Sequence, residues 1–389
     1  MEQSELITAL ILYLACLKKE NYRRLRKYYF LQNNPMFKET YPDKIHVAFY
    51  PYTYVRVMAM KGKLYRKQDY DKLMKMHASE IAKYLEEGDY KEDIHLLGKE
   101  LSGYALVEAA INANFVRRLR KLQLISSKEM NYLIYAHLKK YDVYNIKTLL
   151  RAKTAGQSKE AVSDLLLPLG LLRKKVLLSF FDQDSIEDIL KKAGFMEREY
   201  RSAISYYKKE KSLLEVENFL DKEYYIFLFK FIQRLSGEYS LFRGFLELQI
   251  DVLNVQLLLR LKRTNMEYDR LCSFFFDGGD IFSQATLRRL AKLDFEGMLE
   301  GLKKTKIKNI VKEHTDALAK KDLTRFEAAL DVWLLRQSTL LLHQFPLSVD
   351  TLLGYMFAKE IEVKNLSTLI KGKQLGLNEE FLSKQLVIE

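Results

Sequence analysis

The sequence predicts an all-α protein. Three observations carry that reading: proline is scarce, alternating strand patterns are missing, and two helical motifs recur three times. Only five of 389 residues are proline, at positions 35, 42, 51, 168 and 346, so just two lie beyond residue 51. Proline removes a backbone donor and clashes with the preceding turn, so long proline-free stretches permit long helices. Leu, Lys, Glu, Arg, Ala and Met recur throughout, whereas Val and Thr do not gather into period-two runs. Hydrophobic residues make up 48% of the chain and charged residues 30%. That is enough to fill sizeable cores and solvate their surfaces, and the length suggests two or three helical units.

Taken in order, the first 50 residues differ from the rest. Residues 6–17 form a 12-residue apolar run, followed by Lys18, Lys19, Arg23 and Arg24. The run falls short of the roughly 20 residues that cross a bilayer. Glu2 and Glu5 stand where a signal peptide needs positive charge. The expectation is an added amphipathic helix, or an upstream extension of the true start, set off by turn residues at 33–35 and 41–43. No later stretch is long and apolar enough to span a membrane, and the mean hydropathy is −0.22.

The body repeats itself. Residues 141–153 (YDVYNIKTLLRAK), 250–262 (IDVLNVQLLLRLK) and 361–373 (IEVKNLSTLIKGK) share an acid at Asp142, Asp251 and Glu362. An asparagine follows three positions later, at Asn145, Asn254 and Asn365, and bases follow at Arg151, Arg260 and Lys371. A second motif places Glu108, Glu217 and Glu327 before Ile111-Asn112, Leu220-Asp221 and Leu330-Asp331. Both motifs recur in the same order with steps of 109 to 111 residues. A weaker echo pairs Gly170-Leu171-Leu172 with Gly279-Asp280-Ile281. The period exceeds the roughly 33–47 residues of common helical solenoid repeats, so each copy is large enough for its own core. It divides the chain into an extension, 1–50, and three helical domains, 51–172, 173–282 and 283–389.

On a helix, the residues one, four and five positions after each asparagine form one apolar stripe. The acid and the asparagine are placed at its edge and the base on the far side. An asparagine there suits an inter-helix hydrogen-bond network, with direct partner contact as the other reading. The outward Arg151, Arg260 and Lys371 are the candidates for touching a partner.

No catalytic motif is legible. Lys61-Gly62-Lys63 and Lys371-Gly372-Lys373 lack the glycine-rich lead-in and hydroxyl of a phosphate loop, and neither a GxSxG elbow nor an HExxH pair is present. The six histidines are scattered, and Glu92-x-x-His95 is a single pair where a di-iron bundle needs two. Cys16 and Cys272 match no metal or disulfide spacing, which favours a reducing compartment. No cofactor, metal or enzyme activity is therefore expected. The formal charge of +13 suits an acidic partner, although basic clusters such as Arg117, Arg118, Arg120 and Lys121 also read as solvated helix faces.

One further stretch carries a family resemblance: Tyr52, Tyr54, Val55, Arg56, Val57 and Met60, then Leu64, Asp69, Tyr70 and Leu73. With the three Asn-centred helices, above all residues 141–151, it resembles the C subunit of the V/A-type ATP synthases, the counterpart of the eukaryotic V-ATPase d subunit. The resemblance covers roughly residues 48 to 389, including the triplication, and the family usually begins near the Tyr54 motif. It implies three similar helical domains in a pseudo-threefold, funnel-like arrangement. It also implies a non-catalytic central-stalk role on the cytoplasmic face of the cell membrane. There it would couple an axle of the D and F subunits to the membrane c ring, for proton- or sodium-linked ATP synthesis or hydrolysis. The alternatives are a basic helical module binding nucleic acid, which would show a steep salt dependence, or a scaffold for unrelated proteins. No helix-turn-helix, zinc or RNP signature supports the first, and no nucleic acid is expected as a partner.

Overall fold

The computed structural model describes residues 41–47, 50–237, 240–264, 266–319, 323–341, 347 and 349–388. The apolar run at 6–17 and the helix expected there lie outside them. Helices α1 to α5 are Pro51–Lys61, Lys67–Leu73, Ala78–Glu86, Lys91–Leu97 and Gly103–Ile125. Helices α6 to α10 are Lys128–Thr154, Lys159–Leu165, Lys174–Phe181, Ile186–Lys192 and Glu197–Glu210. Helices α11 to α15 are Leu214–Ile232, Ser240–Arg263, Tyr268–Ser273, Gln284–Lys292 and Phe295–Leu302. The last five, α16 to α20, are Lys308–Glu313, Thr315–Ala319, Leu323–Leu341, Val349–Gln374 and Glu379–Gln385. The protein is all-α, as the sequence predicts. Among the described residues the only strands are two three-residue segments, Ile45–Val47 and Leu235–Gly237, which pair with each other. They are too short to leave a period-two signature in the sequence.

Helix ends follow local chemistry. Ser127, Ser158, Ser185, Ser283, Asp294 and Asn378 each accept a hydrogen bond from a backbone N–H of the first turn they precede. Those bonds satisfy donors that a helix start leaves open. The long helices α6 and α19 both stop at a glycine with positive φ, Gly156 at 66° and Gly376 at 71°. There the Gln157 and Leu377 amides reach back to the Ala152 and Gly372 carbonyls. Glycine takes that left-handed turn without a Cβ clash.

The described residues form two compact units. One takes residues 41–46 and 92–236, the other 47–91 and 237–389. In the first, α6 packs against α8 and α11, and α10 packs against α11. Val107, Ile111, Ile146, Leu149, Leu150 and Leu220 are fully buried there. In the second, α18 lies against α12 and α19, and α1 packs on α19. One of its cores joins Val255, Leu258 and Leu259 to Phe274, Phe282 and Phe326. Full burial of each such side chain contributes about 1.5–3 kcal/mol. All nine stripe positions after the three asparagines are buried: Ile146, Leu149, Leu150, Val255, Leu258, Leu259, Leu366, Leu369 and Ile370.

Candidate functional site

The repeated acid and asparagine are not at the edge of the apolar stripe but inside it, with all six side chains buried. Burial of an unpaired amide or carboxylate is costly, so each must find partners. The three asparagines find the same ones. Asn145 donates from Nδ2 to the Leu167 carbonyl at 2.9 Å and accepts from the Leu167 amide at 2.8 Å. Asn254 makes the same pair with Phe276 at 2.9 and 2.8 Å. Asn365 repeats it with Val387 at 2.7 and 2.8 Å. In every case the partner lies 22 residues further along the chain. The side chain thus imitates a backbone pairing, stitching the long helix to the segment that follows it.

The acids bind the next segment. Asp142 accepts from the Leu171 and Leu172 amides at 3.0 and 2.9 Å. Asp251 accepts from Asp280, Ile281 and Phe282 at 3.0, 2.7 and 3.0 Å. Both carboxylates occupy the space a neighbouring side chain would need. A Cβ on Gly170 would sit 2.0 Å from Asp142 Oδ1, and one on Gly279 would sit 2.1 Å from Asp251 Oδ1. That close approach explains the weak Gly echo in the sequence. Burial pushes the Asp142 carboxyl up to about 7, partly opposed by the Leu172 and Leu171 amides and by Lys139. Burial also raises Asp251, against the Ile281, Phe282 and Asp280 amides.

Glu362 differs. Its carboxylate accepts from the Tyr65 amide at 2.7 Å, from the Tyr90 hydroxyl at 2.6 Å and from Lys359 at 2.6 Å. Lys359 and Glu362 form a buried ion pair, with side chains 2% and 3% exposed. The Lys359 amine also sits 4.6 Å from the centre of the Tyr90 ring. Burial drives the Tyr90 hydroxyl far above its usual range, with Glu362 adding to the effect. Lys359, Tyr65 and Tyr90 do not stand out in the sequence. Their signals are faint: Lys139 and Lys359 both stand three residues before the acid, but Leu248 breaks the pattern in the middle copy.

The outward bases meet the second motif. Arg151 holds Glu217 with two hydrogen bonds of 2.6 Å, from Nε and Nη2, and Arg260 holds Glu327 in the same way. The pairing repeats one turn away, where Lys147 binds Asp221 and Gln256 reaches Asp331, which Lys364 also contacts. Arg151 and Arg260 remain 60% and 59% exposed. Their Nη1 edges make no hydrogen bond among the described residues. Arg260 also lines an open cleft of about 470 Å³ with Arg263, Thr264, Leu323, Thr324 and Glu327. Lys371 and Glu108 lie on α19 and α5, Lys371 exposed and Glu108 half-buried. The sequence shows both motifs but not that one grips the other. Elsewhere Arg117, one of the basic cluster, is paired with buried Asp93 at 2.6 Å.

Among the described residues no helix is long and apolar enough to cross a membrane. The model of a family described as ATP synthase (C/AC39) subunit matches residues 53–385. The A-type ATP synthase C subunit of Methanococcoides burtonii is 34% identical over 349 residues, covering 87% of this chain and 94% of that protein. The C subunit of Methanosarcina mazei is 34% identical over 352 residues, covering 87% and 93%. That of Haloquadratum walsbyi is 31% identical over 341 residues, covering 86% and 97%.

Proposed function

This chain belongs to the ATP synthase (C/AC39) subunit family, and from that membership we propose that it is the non-catalytic central-stalk subunit joining an axle of the D and F subunits to the membrane c ring. The match across residues 53–385 carries the reading. On this reading the chain sits peripherally in the membrane-bound complex, on the cytoplasmic face, and passes torque during proton- or sodium-linked ATP synthesis or hydrolysis.

The role demands a body that does not yield under load, and the repeated buried network supports that reading. The asparagine of each of these helices makes two hydrogen bonds to one residue of the segment after it, from a buried side chain. The three-domain division at 51–172, 173–282 and 283–389 fits the recurrence of these bonds. A partner-facing role for Arg151 and Arg260 fits their exposed guanidinium edges, which suit carboxylates on the axle, and the Lys371 position is exposed as well. Some of the basic side chains are held in internal pairs such as Arg151–Glu217 and Lys147–Asp221.

Gentle solubilisation of native membranes, capture of this chain and mass spectrometry of what accompanies it tests the assignment. Co-purification of D, F and the c ring supports it, whereas recovery alone or with nucleic acid overturns it. For the contact residues, Arg151→Glu with Arg260→Glu is expected to weaken D–F binding at least tenfold. Because each change also breaks an internal pair, the swap Arg151→Glu, Glu217→Arg serves as control. Binding lost even in the swap assigns the effect to the partner; binding restored by it assigns Arg151 a structural role only.

A further inference from the structure

The acid caps run from one copy of the repeat to the next. Asp142 in the first copy caps Leu172, which immediately precedes Arg173, the residue that opens α8 in the second. Asp251 in the second caps Phe282, which immediately precedes Ser283 at the head of α14 in the third. Glu362 in the third caps Tyr65, which immediately precedes Arg66 at the head of α2 in the first. A lysine follows the same rule: Lys153 donates to the Phe181 carbonyl at the end of α8, and Lys373 to the Met74 carbonyl just past α2. The three junctions are therefore one junction used cyclically, and the third closes the chain's last copy onto its first.

Their connections differ. The capped amide stands 30 residues from its acid at the first junction and 31 at the second, but 297 at the third. Closing the third junction during folding therefore costs more loop entropy than closing the first two, equivalent for a flexible chain to about thirtyfold in effective concentration. Its acid is held by side chains as well as by a backbone amide. Glu362 adds the Lys359 ion pair and the Tyr90 hydroxyl to the cap, where Asp251 has backbone amides alone and Leu248 in place of the lysine. Tyr90 lies at the far end of the docked segment, beyond α2 and α3, so Glu362 grips the segment at both ends.

We propose that residues 62–90 are a clasp and that Glu362, Lys359 and Tyr90 are its latch. The segment docks on α19 as a unit, and it opens as a unit when the latch is weakened, while the copies stay folded. The extra contacts at Glu362 offset the missing tether.

Hydrogen exchange on the full-length chain, read by mass spectrometry, tests this. Tyr90→Phe removes one hydroxyl and keeps the ring in place; Glu362→Gln removes the charge. In both variants, amides across 62–90 are expected to exchange together, about threefold faster for the first and at least tenfold for the second, with 279–302 unchanged. Asp251→Asn, the tethered comparison, is expected to speed exchange only at 280–283. A circularly permuted chain joins Glu389 to Met1 through a flexible linker and opens between Asp277 and Gly278. Here the sensitivity should move: Asp251→Asn now releases 279–302 as a unit, and Glu362→Gln affects only the amides around Tyr65. The clasp is refuted by slow exchange at 62–90 in both latch variants, by uniform acceleration of the whole chain, or by a permuted chain whose sensitivities stay where they were.

Discussion

Each buried asparagine makes two hydrogen bonds that no other residue of its size can supply, because it must donate and accept along one peptide. Asn254→Ala leaves the Phe276 amide and carbonyl without that partner in a buried site. A loss of about 2–4 kcal/mol is expected in urea unfolding, with similar losses at Asn145 and Asn365. The Gly279–Asp251 approach is testable by a double-mutant cycle. Gly279→Ala should cost more than about 2 kcal/mol in the natural chain and much less alongside Asp251→Ala, since the colliding carboxylate is then gone. Asp142 gives a pH signature. Its folded value, about 7, lies above the ordinary carboxylate range, so the folded state holds the proton more tightly. Its contribution is fully present below about pH 4 and is lost as pH rises through 7. Compared with Asp142→Asn, the natural chain should therefore lose stability between about pH 4 and 7. Parallel curves for the two proteins across that range would contradict the assignment.

At the scale of elements, the two repeated motifs turn out to be the two halves of one contact. Arg151 on α6 holds Glu217 on α11, and Arg260 on α12 holds Glu327 on α18. These pairs are well aligned but lie close to water, so each is worth about 1 kcal/mol or less. Arg151→Ala should barely move the unfolding midpoint, whereas Leu258→Ala beneath the neighbouring pair should cost about 2–5 kcal/mol. The helices, their apolar stripes and the outward bases were all legible, because 3.6-residue periodicity is local. The burial of Asp142 and Asn145 was not, because a single helix cannot show which later segment packs over it and satisfies its polar groups.

For the whole molecule, the grouping of residues 47–91 with 237–389 has a direct consequence. A fragment beginning at Gly237 keeps α19 but loses Tyr65, Tyr90 and α1, leaving Glu362 and Lys359 without their cover. Expressed alone, that fragment is expected to unfold at a lower temperature and denaturant concentration, and fusion of residues 47–91 to it should raise both. Circular dichroism and calorimetry on the two fragments would decide this, and equal midpoints would count against a structural need for the segment.

The sequence alone determined the helical class, the threefold recurrence and the family. All three rest on local spacing: helical periodicity, scarce proline, and motifs recurring at steps of 109 to 111 residues. Tertiary structure decided which copy each motif serves. Glu362 looks like the third instance of a pattern, yet its partners lie 297 and 272 residues away. Lys359 reads as one more surface lysine until Tyr90 and Glu362 enclose it. Spacing records what a residue's neighbours along the chain require; a buried charge is satisfied by whatever folding brings beside it, and that information is not local.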